Sequence, residues 1–454
     1  MTPDSTIQVV RTARGTGDWL TRQEPIRLSP ATYSDRAAVQ VDATKRFQTL
    51  LGFGAAFTEA AAVTFYKMDA ATQAAILKAY FDPHEGHGYS LCRTTINSCD
   101  FSLGNYSYDD VPGDTALAHF DIAHDRQALI PMIHAATRAA GGKLTLFASP
   151  WSPPAWMKTN GEMNHGGKLR PEYRQAWADY YVRYLQAYAA EGIPIWGLTV
   201  QNEPDATQTW DSCIYTPEDE RDFVRDYLGP TLARAGLGGV RLFVHDHNRD
   251  LVYQRASVVY DDPAASQYVY GAGFHWYVGD HFENIQSLHE AYPGKHLIFS
   301  EGCLEGGTHN QEWSQGERYA RSMIQDLNHW TEAWTDWNLV LDEIGGPNHV
   351  GNYCAAPVIA DTRAGTLQGL SYQTSYPYIG HFARYIKPGA QRVACLSTLD
   401  ELETTAFINT GGELAVVVMN RGETELPFAL RCQGQAAQTG APAHSITTYV
   451  FAAA

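Results

Sequence analysis

Two glutamates stand in the same local grammar, far apart in the chain. Glu203 closes the stretch Trp196-Gly197-Leu198-Thr199-Val200-Gln201-Asn202-Glu203-Pro204, and Glu301 comes near the end of His296-Leu297-Ile298-Phe299-Ser300-Glu301-Gly302-Cys303. Each is an apolar, strand-forming run that turns polar at its last positions. Pro204 cannot extend a ladder of backbone hydrogen bonds, so Glu203 belongs at the carboxyl end of a buried strand. In an α/β fold that is the end where ligands bind. One carboxyl there is as often a cap or an ion-pair partner as a catalyst. Two in matching context, with aromatic loops on each side, point to a catalytic pair.

A second candidate is His245-Asp246-His247, which has the residue types of a metal site. In a regular strand the two histidines share one face while the aspartate points away, and no further ligand cluster is evident, so no metal is expected. No Gly-rich phosphate loop is present; Gly52-Phe53-Gly54 reads as a tight strand end near the site. The seven cysteines form no C-x-x-C pair, and their odd number leaves at least one unpaired within the chain. They read mostly as small buried apolar residues of a reducing compartment, with the Cys92/Cys99 spacing open to a bridge.

The elements that must position these residues recur in a regular order. Strand-like runs at 51–57, 89–100, 143–151, 196–203, 241–248, 271–277, 297–301 and 334–341 alternate with helical segments. Eight such units in series are what a (β/α)8 TIM barrel requires. The helices carry their own punctuation. Thr216, Pro217 and Asp219 make an N-cap with proline at the first helical position and an acidic first turn. Pro171 opens a helix whose Trp177, Tyr181, Tyr184, Leu185 and Tyr188 recur at helical spacing and read as core. Helix-to-strand connections are short, whereas the strand-to-helix loops at 101–120, 152–170, 204–216 and 303–316 are long and aromatic, which marks the functional face. Outside the barrel the grammar is all-β. Strands at 6–13 and 37–41, and five more between 393 and 451, make an appended β-sandwich. The expected division is residues 1–47 as strands joining the sandwich, 48–387 as the barrel and 388–454 as the C-terminal sandwich.

Composition narrows the partner. Eleven Trp and 26 Tyr suit sugar rings, although most such residues fill cores. A formal net charge of -17 argues against nucleic acid, and no basic amphipathic helix or membrane-length apolar run offers a stable membrane anchor. The first residues, Met1-Thr2-Pro3-Asp4-Ser5-Thr6, have neither a basic n-region nor an apolar h-region. As written the chain reads as cytoplasmic; a signal peptide removed from it would make it secreted or periplasmic.

Four motifs in order carry a resemblance. They are Ala148-Ser149-Pro150-Trp151-Ser152-Pro153-Pro154-Ala155-Trp156-Met157-Lys158-Thr159-Asn160-Gly161, Gln201-Asn202-Glu203-Pro204, Ser300-Glu301-Gly302-Cys303 and Trp334-Thr335-Asp336-Trp337-Asn338. Together they resemble glycoside hydrolase family 30, most nearly its glucosylceramidase branch, from about residue 48 to the end. The resemblance implies a retaining β-glycosidase acting on β-glucosides, with Glu203 as acid/base and Glu301 as nucleophile. It also implies Asn202 as donor to the sugar 2-OH, Arg93 and Tyr277 as groups that orient the nucleophile, and Asp100, Trp151 and Trp337 as contacts to the glycone. His275 and Asn352 match the pattern as further substrate-binding positions. No cofactor is implied, and the partner is a carbohydrate or glycolipid. Gly302 departs from the branch's usual alanine, and Ser152-Pro153-Pro154 is also similar to the family's β-1,6-glucanases. The alternatives are therefore a β-1,6-glucanase or another β-glycosidase, such as a xylosidase or fucosidase. A non-catalytic sugar-binding barrel would normally have lost one glutamate.

Overall fold

The eight runs that read as buried strands close on one another as parallel neighbours. In chain order they are Gly52–Phe57, Leu91–Ile96, Thr145–Pro150, Gly197–Thr199, Arg241–Asn248, Val269–His275, His296–Glu301 and Ala333–Asn338, and the last pairs with the first. The structure, a computed structural model, describes residues 6–31, 37–309 and 312–453. At one seam the closure requires glycine: a Cβ on Gly54 would lie 1.8 Å from the Leu91 carbonyl oxygen. The Gly52-Phe53-Gly54 run thus begins its strand, at the opposite end of the barrel from the two glutamates. This corrects the expectation that it lies near the site.

Inward residues divide the barrel into two layers. Leu91, Phe147, Phe243, Ile298 and Ala333 pack as an apolar floor, closed from below by Leu51, Trp196 and Tyr270. Above them Arg93, Ser149, Thr199, Asp246, His275 and Ser300 are polar and have no exposed surface. Such groups are tolerated only when each is paired or hydrogen-bonded.

Thr216 caps the helix Pro217–Phe223 in a full capping box with Asp219. That helix runs on through one wide turn, Val224–Leu228, where the Gly229 N–H reaches back to the Val224 carbonyl and Pro230 has no N–H to offer. Trp177, Tyr181, Tyr184, Leu185 and Tyr188 of the helix Arg174–Ala190 are all buried, as their spacing requires. Their hydroxyls also pin the loops of the carboxyl face. Tyr181 donates to the Val200 carbonyl at 2.6 Å, and Tyr188 joins Tyr106 and Tyr108 in donating to Asp125 at 2.6, 3.0 and 2.6 Å. The loops are stitched to each other as well: the Lys158 ammonium donates to the Met163 and Ser212 carbonyls, and Ser98 donates to Asp211 at 2.6 Å.

The β-rich remainder forms one sheet of ten strands. Thr6–Ala13, Thr21–Arg27, Ser29–Pro30 and Ala38–Thr49 join six strands from the C-terminal region, Gln391–Ser397 through Ser445–Ala452. The sheet folds onto itself around an apolar core that includes Val39, Val416, Leu430 and Tyr449. Tyr449 packs on Phe428 with ring centroids 6.2 Å apart although their strands are not ladder neighbours. Thr21–Arg27 and Gln435–Ala441 have no counterpart in the sequence reading, because neither shows a clean apolar alternation. All seven cysteines are free, Cys92 and Cys99 included. Among the described residues no helix is long and apolar enough to cross a membrane.

Candidate active site

Glu301 is the last residue of the seventh strand, with only a sliver of its surface exposed. Its carboxylate accepts from Arg93 Nη1 at 2.7 Å and from the Tyr277 hydroxyl at 2.9 Å. Arg93 sits third in the second strand, well inside the barrel. Its guanidinium also donates to Asp246 Oδ2 at 2.7 Å, Asn202 Oδ1 at 2.9 Å and Ser149 Oγ at 3.0 Å. A wholly buried arginine is sustainable here because two carboxylates share its charge and its donors are used. Tyr277 stands two residues beyond the sixth strand.

Glu203 lies past its strand, which ends at Thr199, and the chain turns sharply there. Its φ is 47°, a left-handed conformation that a non-glycine residue adopts at a cost of roughly 1–3 kcal/mol. Neighbouring bonds hold it: Asn202 N–H donates to the Pro150 carbonyl at 2.9 Å and Glu203 N–H to the Asp246 carbonyl at 2.9 Å. The Glu203 carboxylate accepts from Gln208 Nε2 at 3.3 Å, lies 3.2 Å from His275 Nδ1 and has His247 Nε2 at 4.0 Å. One oxygen of Glu203, one of Glu301 and a nitrogen of His275 all lie within 4.8 Å of one another. This is the group among the described residues whose spacing would suit a metal ion, but Arg93 already supplies the positive charge at Glu301.

Asp246 is the residue that the sequence reading misplaced. His245 and Asp246 have φ of 72° and 43°, and the ladder to the sixth strand passes from His245 to His247, leaving Asp246 as an extra residue. The bulge turns Asp246 inward, where it accepts from Arg93, from Thr199 Oγ1 at 2.6 Å and from Ser300 Oγ at 2.6 Å. His247 is left at the pocket wall, while His245 is buried with its Nε2 2.9 Å from the Asn248 carbonyl. The regular alternation expected here, with both histidines on one face and Asp246 pointing away from it, is therefore broken by the bulge.

The pocket over the two glutamates has a volume of about 190 Å³. Asp100, Trp151, Asn202, Tyr277, Trp337 and Asn352 line it with the two glutamates, the positions the resemblance implies. Trp151 and Trp337 stack at 5.1 Å and 25°, and the Arg93 guanidinium lies 4.7 Å from the Trp151 ring centre. Asp100 accepts from Asn352 Nδ2 at 3.0 Å and Asn348 Nδ2 at 3.3 Å. His275 is not in the wall. It lies behind Glu203, with its ring nitrogens directed at Glu203 and Asp246. Gln208, Trp210, Asn248, Cys303, Glu305 and Cys354 also line the wall, together with His247, which the sequence offers only as a metal candidate. The length of the 204–216 loop is the signal that could have found Gln208 and Trp210.

Burial acts on every charge here. Glu301 is pushed up by desolvation; the charges of His275 and Arg93 pull it back in part, leaving it above the ordinary carboxylate range. Burial would raise Glu203 as well, but the hydrogen bond from His275, the charge of His247 and the Gln208 bond outweigh it and draw it down to about 2. His275 is disfavoured as a cation by burial, yet the charge of Glu301 and its bonds to Asp246 and Glu203 lift it to about 9. The shifts of Glu203 and His275 run in opposite directions across their 3.2 Å contact. Asp100 is pushed up to about 8 by desolvation, against its bond from Asn352.

Comparison with known proteins agrees with this geometry. The profile of the glycosyl hydrolase family 30 TIM-barrel domain matches residues 50–386, and that of the family's β-sandwich domain matches residues 389–449. Lysosomal acid glucosylceramidase of Mus musculus is 36% identical over 426 residues, 90% of this chain and 82% of its own length. An endo-1,6-beta-D-glucanase of Neurospora crassa is 29% identical over 431 residues, 90% of this chain and 86% of its own. Among solved structures, SrfJ from Salmonella typhimurium has a TM-score of 0.95 at 37% identity, covering 99% of this chain and 100% of that one. With both domains matched in order along almost its whole length, the chain is a glycoside hydrolase and belongs to glycosyl hydrolase family 30.

Proposed function

We propose that the protein is an exo-acting retaining β-glucosidase of the glucosylceramidase type, with Glu301 as nucleophile and Glu203 as acid/base. The observation that carries this reading is the asymmetry of two close carboxylates. Their nearest oxygens are within 4.8 Å, in keeping with the roughly 5–5.5 Å carboxyl separation of retaining enzymes, and only Glu301 is held by an arginine and a tyrosine hydroxyl. In the first step Glu203 protonates the glycosidic oxygen, the C1–O bond breaks and Glu301 bonds to C1. In the second, Glu203 takes a proton from water, whose oxygen replaces Glu301 on C1.

Asn202 spends its Oδ1 on Arg93, which orients its Nδ2 amide as a donor for the sugar 2-OH. Asp100 and Asn352 serve the outer hydroxyls, and the Trp151/Trp337 stack forms an apolar wall for the ring. A pocket of about 190 Å³ is below the roughly 300 Å³ at which drug-sized ligand sites begin, which suits one terminal sugar better than the interior of a glycan. The test is a substrate panel of aryl β-glycosides, glucosylceramide and β-1,6-glucan, with the anomer of the first product read by NMR. Glucose released as the β-anomer from glucosides and glucosylceramide is expected. Short oligosaccharides from β-1,6-glucan would move the substrate to the glucan while leaving the two-glutamate mechanism intact.

A further inference from the structure

His275 does not line the pocket, yet it links the two catalytic carboxylates. Its Nε2 lies 3.1 Å from Asp246 Oδ1, and Asp246 already accepts from Ser300, Thr199 and Arg93. A buried carboxylate with that many donors is an anion, so Nε2 carries a hydrogen and the tautomer is set. The 3.2 Å contact between Nδ1 and Glu203 Oε1 then holds one hydrogen, whichever atom owns it. Arg93 completes the path, because its guanidinium bonds both Asp246 and Glu301. Glu203, His275, Asp246, Arg93 and Glu301 are one continuous hydrogen-bonded chain.

We propose that His275 is the proton store of the reaction, keeping the catalytic proton on Nδ1 at rest, passing it to Glu203 for glycosidic cleavage and recovering it after water attacks. The proposal rests on the assignment of Glu203 as acid/base. The bookkeeping of atoms closes over a turnover. The proton crosses from Nδ1 to Glu203 and on to the leaving oxygen, which takes the electron pair of the C1–O bond as Glu301 bonds to C1, and His275 is left neutral. Water then bonds to C1, the Glu301 ester bond breaks to restore the carboxylate, and the water proton passes through Glu203 back to Nδ1. Glycoside and water become sugar and alcohol with no net proton change.

The surroundings support the store. Asp246 and His247 face His275 from the fifth strand, Glu301 faces it from the seventh, and Glu203 from the loop after the fourth. Tyr277, on its own segment, has its ring 6.0 Å away, and Arg93 acts through Asp246. Burial pushes His245 and His247 below the ordinary histidine range, so of the three imidazoles His275 alone is lifted. The Glu301 charge is the leading force that lifts it. Esterification removes that charge, so the proton that has left His275 is not drawn back until Glu301 is restored as a carboxylate.

The experiment is His275→Gln, which keeps a hydrogen-bonding group but no titratable proton. Its kcat/KM is measured against pH for alkyl and dinitrophenyl β-glucosides beside wild type and Glu203→Gln. The basic limb for alkyl glucosides should move down by at least about one pH unit. At pH 8 the loss should be about tenfold to a hundredfold for alkyl glucosides and absent for the dinitrophenyl substrate, whose leaving group needs no proton. An unmoved basic limb with equal losses for both substrates would reduce His275 to a prop and overturn the proposal. Failure of the acid/base assignment itself would show separately, as a Glu203→Gln enzyme with no dependence on leaving group. Should His275→Gln not fold, wild type labelled with 15N-histidine decides. The His275 ring must remain an imidazolium at pH 7.5 in the free enzyme and turn neutral when Glu301 is trapped as the 2-deoxy-2-fluoroglucosyl ester; a ring that is neutral in the free enzyme overturns the proposal.

Discussion

The floor and the mouth of the barrel are built on the same strands, two residues apart, and obey opposite rules. Leu91 is followed at the next inward position by Arg93, Phe147 by Ser149, Ile298 by Ser300 and Ala333 by Thr335. The floor needs only apolar volume, and similar residues would serve. The mouth consists of buried charge that is stable only as a completed network, where losing one partner strands another. Stability is therefore expected to reside below and chemistry above, separated by about one turn of the strand pleat.

Substitutions can break that division, beginning with the largest catalytic effect. Glu301→Gln should lower kcat on any β-glucoside by on the order of 10⁴-fold or more, and azide should not restore it. Glu203→Gln should lose about 10²- to 10⁴-fold on alkyl glucosides while dinitrophenyl β-glucoside is still cleaved and azide yields a glycosyl azide. Equal losses in the two variants, neither rescued, would undo the asymmetry on which their roles rest.

Asp100→Ala should act more weakly and on selectivity. A buried carboxyl left without its sugar hydroxyl costs about 1–3 kcal/mol, or roughly tenfold to a hundredfold in kcat/KM. The ratio of aryl glucoside to galactoside turnover should collapse by that factor. An unchanged ratio would make Asp100 a support for the loop carrying Asn348 and Asn352.

A smaller effect concerns pH and stability. His275 binds its proton more tightly folded, at about 9, than unfolded, so its contribution is complete below the ordinary histidine pKa near 6.5 and lost as pH rises to about 9. Urea midpoints should fall across that window in wild type and fall less in His275→Gln. Phe243→Ala, at the floor, completes the comparison. It should cost about 3–5 kcal/mol of unfolding free energy by leaving a cavity, with KM and leaving-group dependence unchanged. A floor substitution that altered leaving-group dependence would show the two layers to be one unit.

Periodicity and turn chemistry carried much of this structure. The eight barrel strands, the Thr216 capping box and the buried face of the helix Arg174–Ala190 follow from residue spacing, because each is set by local backbone geometry and by which side must shed water. The strands Thr21–Arg27 and Gln435–Ala441 escaped notice because they are held by neighbours in the sheet more than by their own pattern. Trp151, Asn202 and Trp337 lie in the motifs and Asp100 and Asn352 came with the resemblance, and all five line the pocket; Gln208 and Trp210 lay in a loop whose length had marked it.

What the sequence determined by itself is the inventory: two glutamates closing apolar runs, an arginine within a strand-forming run, and long aromatic loops on one face. What only the tertiary structure decided is which groups meet. His245-Asp246-His247 shows the limit, since alternation sends the aspartate outward and the bulge at φ 72° and 43° brings it in to join Arg93 and His275. Whether a strand bulges depends on the register of both neighbours, and the protonation of His275 depends on charges from three other strands and a loop. Neither quantity is local, so neither is written in the order of residues around it.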